Sequence, residues 1–293
     1  MPGFHTAVLT VLAMLAFAAN SLLCRLALQS HAIDAASFTA VRLVSGALVL
    51  ALVVRLRALP AAAGRGRWGS AAWLFVYAAA FSLAYLQLPA GVGALLLFGA
   101  VQATMVGVGL WRGERLALHQ WAGLVLALGG LVVLLRPGLS APPWGAAGLM
   151  LLAGVAWGAY SLRGKGAKDP VGVTAGNFLR AASLALLMWG LMAGHASVSV
   201  AGLASALCSG ALTSGLGYVA WYAALPQLKA GTAASVQLSV PLLAAIGAVL
   251  LLGESWTLRL SLAGAAILGG IALVVLARPG PPPAVTVAPG RQP

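Results

Sequence analysis

The chain has 293 residues, 61% hydrophobic and only 7% charged, with 17 basic against 4 acidic side chains and a formal net charge of +13. An ordinary soluble domain carries about 25% charged residues, so a water-soluble fold of this length lacks the polar side chains to cover itself. The positive charge does not mark a nucleic-acid binder either, because it clusters at the ends of apolar segments and leaves no soluble basic face.

Residues 1–24, 68–111, 137–162, 181–228, 230–253 and 260–277 contain no Asp, Glu, Lys or Arg. Each interval fits one or two bilayer crossings of about 20 residues. Hydrocarbon forces the backbone to satisfy its own hydrogen bonds, and the lack of alternation excludes barrel strands. The expected fold is therefore an all-α integral membrane protein with ten transmembrane helices, near 6–28, 33–54, 70–88, 91–111, 118–135, 143–162, 171–193, 199–225, 231–252 and 258–277.

The first helix contains "AFA" at 16–18, which has the look of a signal-peptide cleavage site, but no Lys or Arg precedes it. It is read as an uncleaved helix. Cys24 on that helix and Cys208 on the eighth lack metal-ligand spacing and are read as small buried hydrophobes. Links such as "RGRWG" at 65–69, "RPG" at 136–138 and "KDP" at 168–170 are short turns, so successive helices should be antiparallel neighbours. The Pro-rich end, 281–293, is expected to be a disordered cytoplasmic tail. With the amino terminus inside, the inner segments hold twelve cations, Arg55, Arg57, Arg65, Arg67, Arg112, Arg115, Arg163, Lys165, Lys168, Lys229, Arg278 and Arg291, against three outside, Arg25, Arg136 and Arg259. That asymmetry predicts two cytoplasmic termini.

The chain repeats itself. A shift of 140 superposes Gln87, Leu88, Ala90, Gly91, Ala94, Gly107, Leu110, Gly113, Glu114, Leu118, Leu128, Gly129 and Gly130 on identical residues, and a shift of 138 aligns Arg25 with Arg163 and Arg42 with Arg180. Two five-helix units are expected, 1–138 and 139–280. Because five is odd, the second unit enters the bilayer from the opposite side, giving inverted repeats around a central site that opens alternately to either face.

The paired stretches "GLWRGERLALHQWAGLVLALGGLVVL" and "LLLGESWTLRLSLAGAAILGGIALVV", with "AWGAY" at 156–160 and its degenerate counterpart "AANSL" at 18–22, resemble the drug/metabolite transporter superfamily with its EamA-type repeat. The likeness covers residues 6–277, and length and aromatic content are most similar to YddG-type exporters of aromatic amino acids. The sequence departs from that family at one point: proline is common in the fourth helix of both halves, yet Val101 stands where Pro241 stands in the second.

The third helix carries Trp73, Tyr77, Phe81 and Tyr85 at steps of four, and the eighth carries Tyr218, Trp221 and Tyr222. Such rows ordinarily pack against other helices or anchor at the interface. Their alternative role is to line the seam between the halves, where an aromatic or branched substrate stacks. Polar candidates at similar depth are Asn20, Ser21, Gln102 (four residues after Phe98), Ser214, Ser235, Gln237 and Ser239. Interhelical hydrogen bonding is their competing role. Pro241 has no N–H to offer the Gln237 carbonyl, which leaves an acceptor free. The resemblance implies that helices one, three, four, six, eight and nine enclose the cavity, and on that basis alone Trp157 and Tyr160 join the candidates.

Arg42 and Arg180 fall roughly 12–17 Å inside their helices at 1.5 Å per residue. An intramembrane charge points either to an anion clamp or to a side chain tying loose carbonyls and snorkelling. Asp34, Glu114, Asp169 and Glu254 all fall at helix ends, and no carboxylate or histidine lies at mid-depth, which argues against a proton-driven or cation-specific carrier. His5, His31, His119 and His195 sit at the faces, and no nucleophile–base, His-Glu-x-x-His or P-loop pattern appears. No enzyme, cofactor or metal site is expected. The expected function is facilitative export of neutral or zwitterionic metabolites, aromatic or hydrophobic amino acids above all, by a monomer in a bacterial inner membrane with no nucleic-acid partner. Nucleotide-sugar or sugar-phosphate transport, and a passive channel, are the alternatives.

Overall fold

The computed structural model describes residues 3–57, 66–113, 116–136, 142–228, 233 and 236–276. Its helices are α1 (Phe4–Gln29), α2 (Ala35–Leu56), α3 (Trp68–Tyr85), α4 (Ala90–Trp111), α5 (Leu118–Leu135), α6 (Trp144–Gly164), α7 (Pro170–Leu191), α8 (Val200–Gln227), α9 (Ser239–Leu252) and α10 (Leu258–Leu276). Among the described residues there is no strand, only an isolated bridge between Ile33 and Val198. Arg65, Glu114, Arg115, Lys229, Gly231, Ser235, Arg278, Arg291 and the 281–293 tail lie outside the described residues.

Large side chains point outward. Leu48, Val125, Val132, Leu179, Leu187, Leu250 and Leu251 are exposed, while Ala13, Ala71, Ala84, Ala94, Ala153, Ala181 and Ala263 are buried. A soluble protein does not tolerate such an apolar exterior; a lipid-dissolved bundle uses small interior residues so that helix backbones approach closely. One close approach joins α5 to α10. A Cβ at Gly123 would lie 2.6 Å from the Gly270 carbonyl oxygen, and one at Gly270 would lie 2.4 Å from that of Gly123.

The most extensive helix contacts run between the two sequence halves and come in exchange pairs. α3 packs on α6 as α8 packs on α1, α4 on α6 as α9 on α1, and α2 on α8 as α7 on α3; α2–α7, α4–α9 and α5–α10 pair with their own counterparts. The halves are interleaved, each helix drawing most of its neighbours from the other half.

Two helices depart from the regular spans expected. The ninth was expected as one helix over 231–252; Ala233, Val236 and Gln237 are helical, but a turn at Leu238 interrupts it before the continuous α-helix Ser239–Leu252. Pro241 is the reason: without an N–H it cannot bond the Gln237 carbonyl, and it is tolerated only in a first turn. The eighth was expected as regular α-helix, yet Ser209–Leu216 is wound as a π-helix between two α-helical segments. There the Ser209 and Thr213 hydroxyls donate to Asn20 Oδ1 on α1 at 2.7 and 3.3 Å, and Gly210 lies against α2 so closely that a Cβ would sit 2.2 Å from the Arg42 carbonyl oxygen.

At the α1–α2 turn, Asp34 caps α2. Its carboxylate accepts from the backbone N–H groups of Ala36 at 3.0 Å and Ser37 at 2.9 Å, and from Ser197 at 3.1 Å in the α7–α8 link. Burial alone would push this carboxyl up, but bonds from Ser37, Ser197 and Ala36 outweigh it and hold Asp34 below its ordinary value of 3.8. A depressed folded-state value means that the stabilisation is present above the unfolded-state pKa and is lost as pH falls through the folded one. Asp34→Ala should lower stability by about 1 kcal/mol at neutral pH, measured by thermal unfolding in detergent, and the gap to wild type should close under acid conditions below the aspartate range.

Candidate functional site

A cavity of about 450 Å³ lies where α1, α3, α4, α6 and α8 converge, with α2 entering through Arg42, α10 through Val275, and Gln237 reaching it from ahead of α9. Helix periodicity explains its wall: Tyr77 and Phe81 are one turn apart on α3, as are Tyr218 and Tyr222 on α8, so each pair presents rings on one face. Ring centroids of Tyr77 and Trp157 are 4.9 Å apart, Trp157 lies 5.4 Å from both Tyr160 and Tyr218, and Tyr77 lies 5.4 Å from Phe81. These tilted and stacked arrangements suit the ring quadrupoles and leave faces against which a further ring fits.

Most residues singled out from the sequence come together here. Asn20, Tyr77, Phe81, Phe98, Gln102, Trp157, Tyr160, Ser214, Tyr218, Trp221 and Gln237 all line the cavity. Two do not. Tyr85 is fully buried in packing, edge-on to Phe81 at 4.7 Å, its hydroxyl donating to the Ala90 carbonyl at 3.3 Å; the row on α3 drifts around the helix, and by its last step it has turned away from the cavity. Ser239 donates its hydroxyl to the Val236 carbonyl at 2.6 Å, closing the turn that opens α9.

Arg42 is the lining residue whose role the sequence left open. It is 2% exposed, and Nε donates to Ser214 Oγ at 3.2 Å while Nη2 donates to the Tyr77 hydroxyl at 3.1 Å. Its Cζ lies 5.0 Å from the Phe81 centroid and 5.2 Å from that of Tyr77. Nη1 is buried without a hydrogen-bond partner. Among the described residues no carboxylate lines the cavity, and the two charged ones that do, Arg42 and Lys165, are both cations. Arg180, its counterpart in the repeat, does not line the cavity: it donates to the Gly176 carbonyl of its own helix at 2.8 Å and lies over Trp68 at 5.8 Å. A two-arginine clamp therefore does not form. Phe17, Met105 and Thr213 also line the wall, and nothing in their spacing distinguishes them from ordinary packing residues.

The two ends of the cavity differ. At one end Arg25 and Glu254 pair at 3.2 Å, Arg25 Nη1 donates to the carbonyls of Tyr85 at 3.0 Å and Leu86 at 3.2 Å, and the Ala90 N–H donates to Glu254 Oε2 at 2.9 Å. The carboxylate thus sits on the positive end of α4, and one cluster ties the end of α1, the α3–α4 turn and the α9–α10 turn. A hollow of about 510 Å³, lined in part by Arg25, Gln87, Pro89 and Glu254, adjoins this clamp. At the other end the lining runs through Ser161, Gly164 and Lys165 at the close of α6 and Tyr222 and Leu225 at the close of α8. Successive antiparallel helices put those ends on the face where α1 begins, and Arg163 there is exposed. Among the described residues no group of three or more His, Cys, Asp or Glu side chains is placed to hold a metal ion.

Comparison with known proteins fits this architecture. Residues 144–276 match the model of the EamA-like transporter family. The probable terminal-alkyne amino-acid exporter of Streptantibioticus cattleyicolor is 30% identical over 230 residues, 76% of this chain and 74% of that protein. The chain belongs to the EamA-like transporter family. This transporter is also 61% identical over 280 residues to the uncharacterized protein PA1977 of Pseudomonas aeruginosa, covering 96% of this chain and 98% of that one. A solved crystal structure shares its fold with a TM-score of 0.67 at 20% identity, over 92% of this chain and 96% of the other. The family and the exporter relative point to a multi-pass membrane transporter rather than an enzyme.

A buried cation without a counter-ion carries an uncompensated desolvation cost, which an apolar side chain of similar length removes. Arg42→Met should therefore keep or raise the thermal midpoint of the purified transporter. A clear drop would make Arg42 a structural strut.

Proposed function

We propose that this transporter exports small neutral or zwitterionic metabolites, chiefly aromatic and hydrophobic amino acids, across a bacterial inner membrane, with both termini cytoplasmic. The observation that carries this reading is an aromatic-walled cavity of about 450 Å³ that continues to the helix ends around Lys165, with the Arg25–Glu254 pair one turn beyond its lining residue Ser21 on α1. Its volume lies in the range of small-molecule sites, and its rings offer stacking surfaces. The amino-acid exporter relative supports the same solute class.

Alternating access supplies the mechanism. Residues 1–138 and 139–280 act as inverted five-helix repeats, and the exchange pairing of helix contacts supports this arrangement. The repeat matches Arg25 with Arg163 and Glu254 with Glu114. In the state described, the outer pair is engaged and Arg163 is exposed, as expected of an inward-open carrier. Opening outward would break the first clamp and form its counterpart between Arg163 and Glu114. Among the described residues no carboxylate lines the cavity, which supports flux down the solute gradient. A phosphate-ester carrier would want both arginines, and only Arg42 reaches the cavity.

In proteoliposomes, saturable tryptophan or phenylalanine flux with trans-stimulation is expected, and no uphill movement under a pH gradient alone. Trp157→Ala and Trp221→Ala should each raise the half-saturation concentration roughly 2- to 10-fold, the equivalent of one lost aromatic contact; unchanged kinetics would return these rings to packing. Single cysteines at 114 and 254 should react with an impermeant label from opposite faces, and labelling from one face would end the inverted-repeat reading.

A further inference from the structure

We infer that the feature recognised in the substrate is its carboxylate, held by the unpartnered Nη1 of Arg42, and that the transporter consequently also carries aromatic monocarboxylates lacking an α-amino group. The inference rests on the proposed function for the use of the cavity and the stacking role of its rings; the choice of charge rests on Arg42 alone.

Two of the three guanidinium nitrogens are engaged, Nε with Ser214 and Nη2 with Tyr77. The third, Nη1, is buried and unpartnered in a residue that lines the cavity. A guanidinium presents a planar fork that suits a carboxylate, and its charge counts for more in a site shielded from water. Phe81 and Tyr77 lie 5.0 and 5.2 Å from Cζ, so a carboxylate at Nη1 places the attached aryl group among the rings of the wall.

An ammonium finds no charged partner; the amide oxygens of Gln102 and Gln237 on the lining are neutral acceptors. Among the described residues no acidic side chain lines the cavity, and Lys165 adds a second cation. Asn20 Oδ1 already accepts from Ser209 and Thr213, and the Tyr77 hydroxyl already accepts from Arg42. The α-amino group of an amino acid therefore brings like charge toward Arg42 without a countercharge, and removing it removes that repulsion. A phosphate dianion is a poorer fit, with one guanidinium for two charges.

The test uses the full chain in liposomes near neutral pH, with labelled tryptophan as reporter. Indole-3-propionate, which keeps the carboxylate and lacks the amine, should inhibit with a half-inhibitory concentration within about threefold of unlabelled tryptophan; tryptophanamide should be at least about thirtyfold weaker, a loss on the scale of one charge-assisted hydrogen bond. In Arg42→Gln, shown folded by its thermal transition, the preference for acid over amide should collapse, and Arg42→Lys should retain part of it. Calorimetric binding of the same ligands to the detergent-solubilised wild-type protein gives a readout independent of flux and of any variant. If tryptophan is carried but its amide competes equally, the carboxylate inference fails and the proposed function stands. If tryptophan neither moves nor binds while indole-3-propionate binds and the amide does not, the amino-acid reading fails and the carboxylate site stands. If none of the three is carried or bound, both fail.

Discussion

The site is organised around one guanidinium shut away from water without a carboxylate beside it. Arg42 reaches its position because α2 and α8 approach to backbone contact at Gly210, and it is held there by Tyr77 from α3 and Ser214 from α8. Those two helices are each other's counterparts in the repeat, so any motion of one half against the other alters the cradle of the charge. Desolvation of an ion is expensive, and hydroxyls compensate it only in part. That uncompensated cost is what the carboxylate proposal draws on.

The two repeats are alike in sequence and unlike in this conformation. Arg25 and Arg163 occupy matched positions, yet one is clamped to Glu254 and the other is exposed. Arg42 and Arg180 are also matched, yet one lines the cavity and the other bonds its own helix and overlies Trp68. The first difference fits the alternating access proposed above. The second is built into the neighbours, since Arg42 faces the Ser214 and Tyr77 hydroxyls while the ring beside Arg180 is Trp68 on a peripheral end of α3.

Interleaving explains how such a thin interior stays together in lipid. With little hydrophobic drive between helices, close contact through Gly and Ala and a few interhelical hydrogen bonds must serve. Gly123 and Gly270 join α5 to α10, while Asn20 gathers Ser209 and Thr213 across α1 and α8. The polar links cluster beside the cavity, at the π-helical stretch of α8, where a wider turn of backbone is a common companion of function.

The sequence by itself determined that the chain is a helical membrane protein, roughly where its helices run and that it is written twice, because hydrocarbon allows only long apolar runs and any duplicated unit leaves matched residues at a fixed offset. It also brought most of the cavity wall into view, since Tyr77, Phe81, Tyr218 and Trp221 stand at helical spacing. Tertiary structure alone decided that the α3 row stops facing the cavity before Tyr85, that α8 unwinds to a π-helix at Ser209, and that Arg42 rather than Arg180 enters the site. Those outcomes depend on which neighbour each helix face meets. Periodicity fixes the direction of a side chain relative to its own axis and is silent about what lies opposite, so an intramembrane arginine reads the same in sequence whether it ties a carbonyl or waits for a ligand.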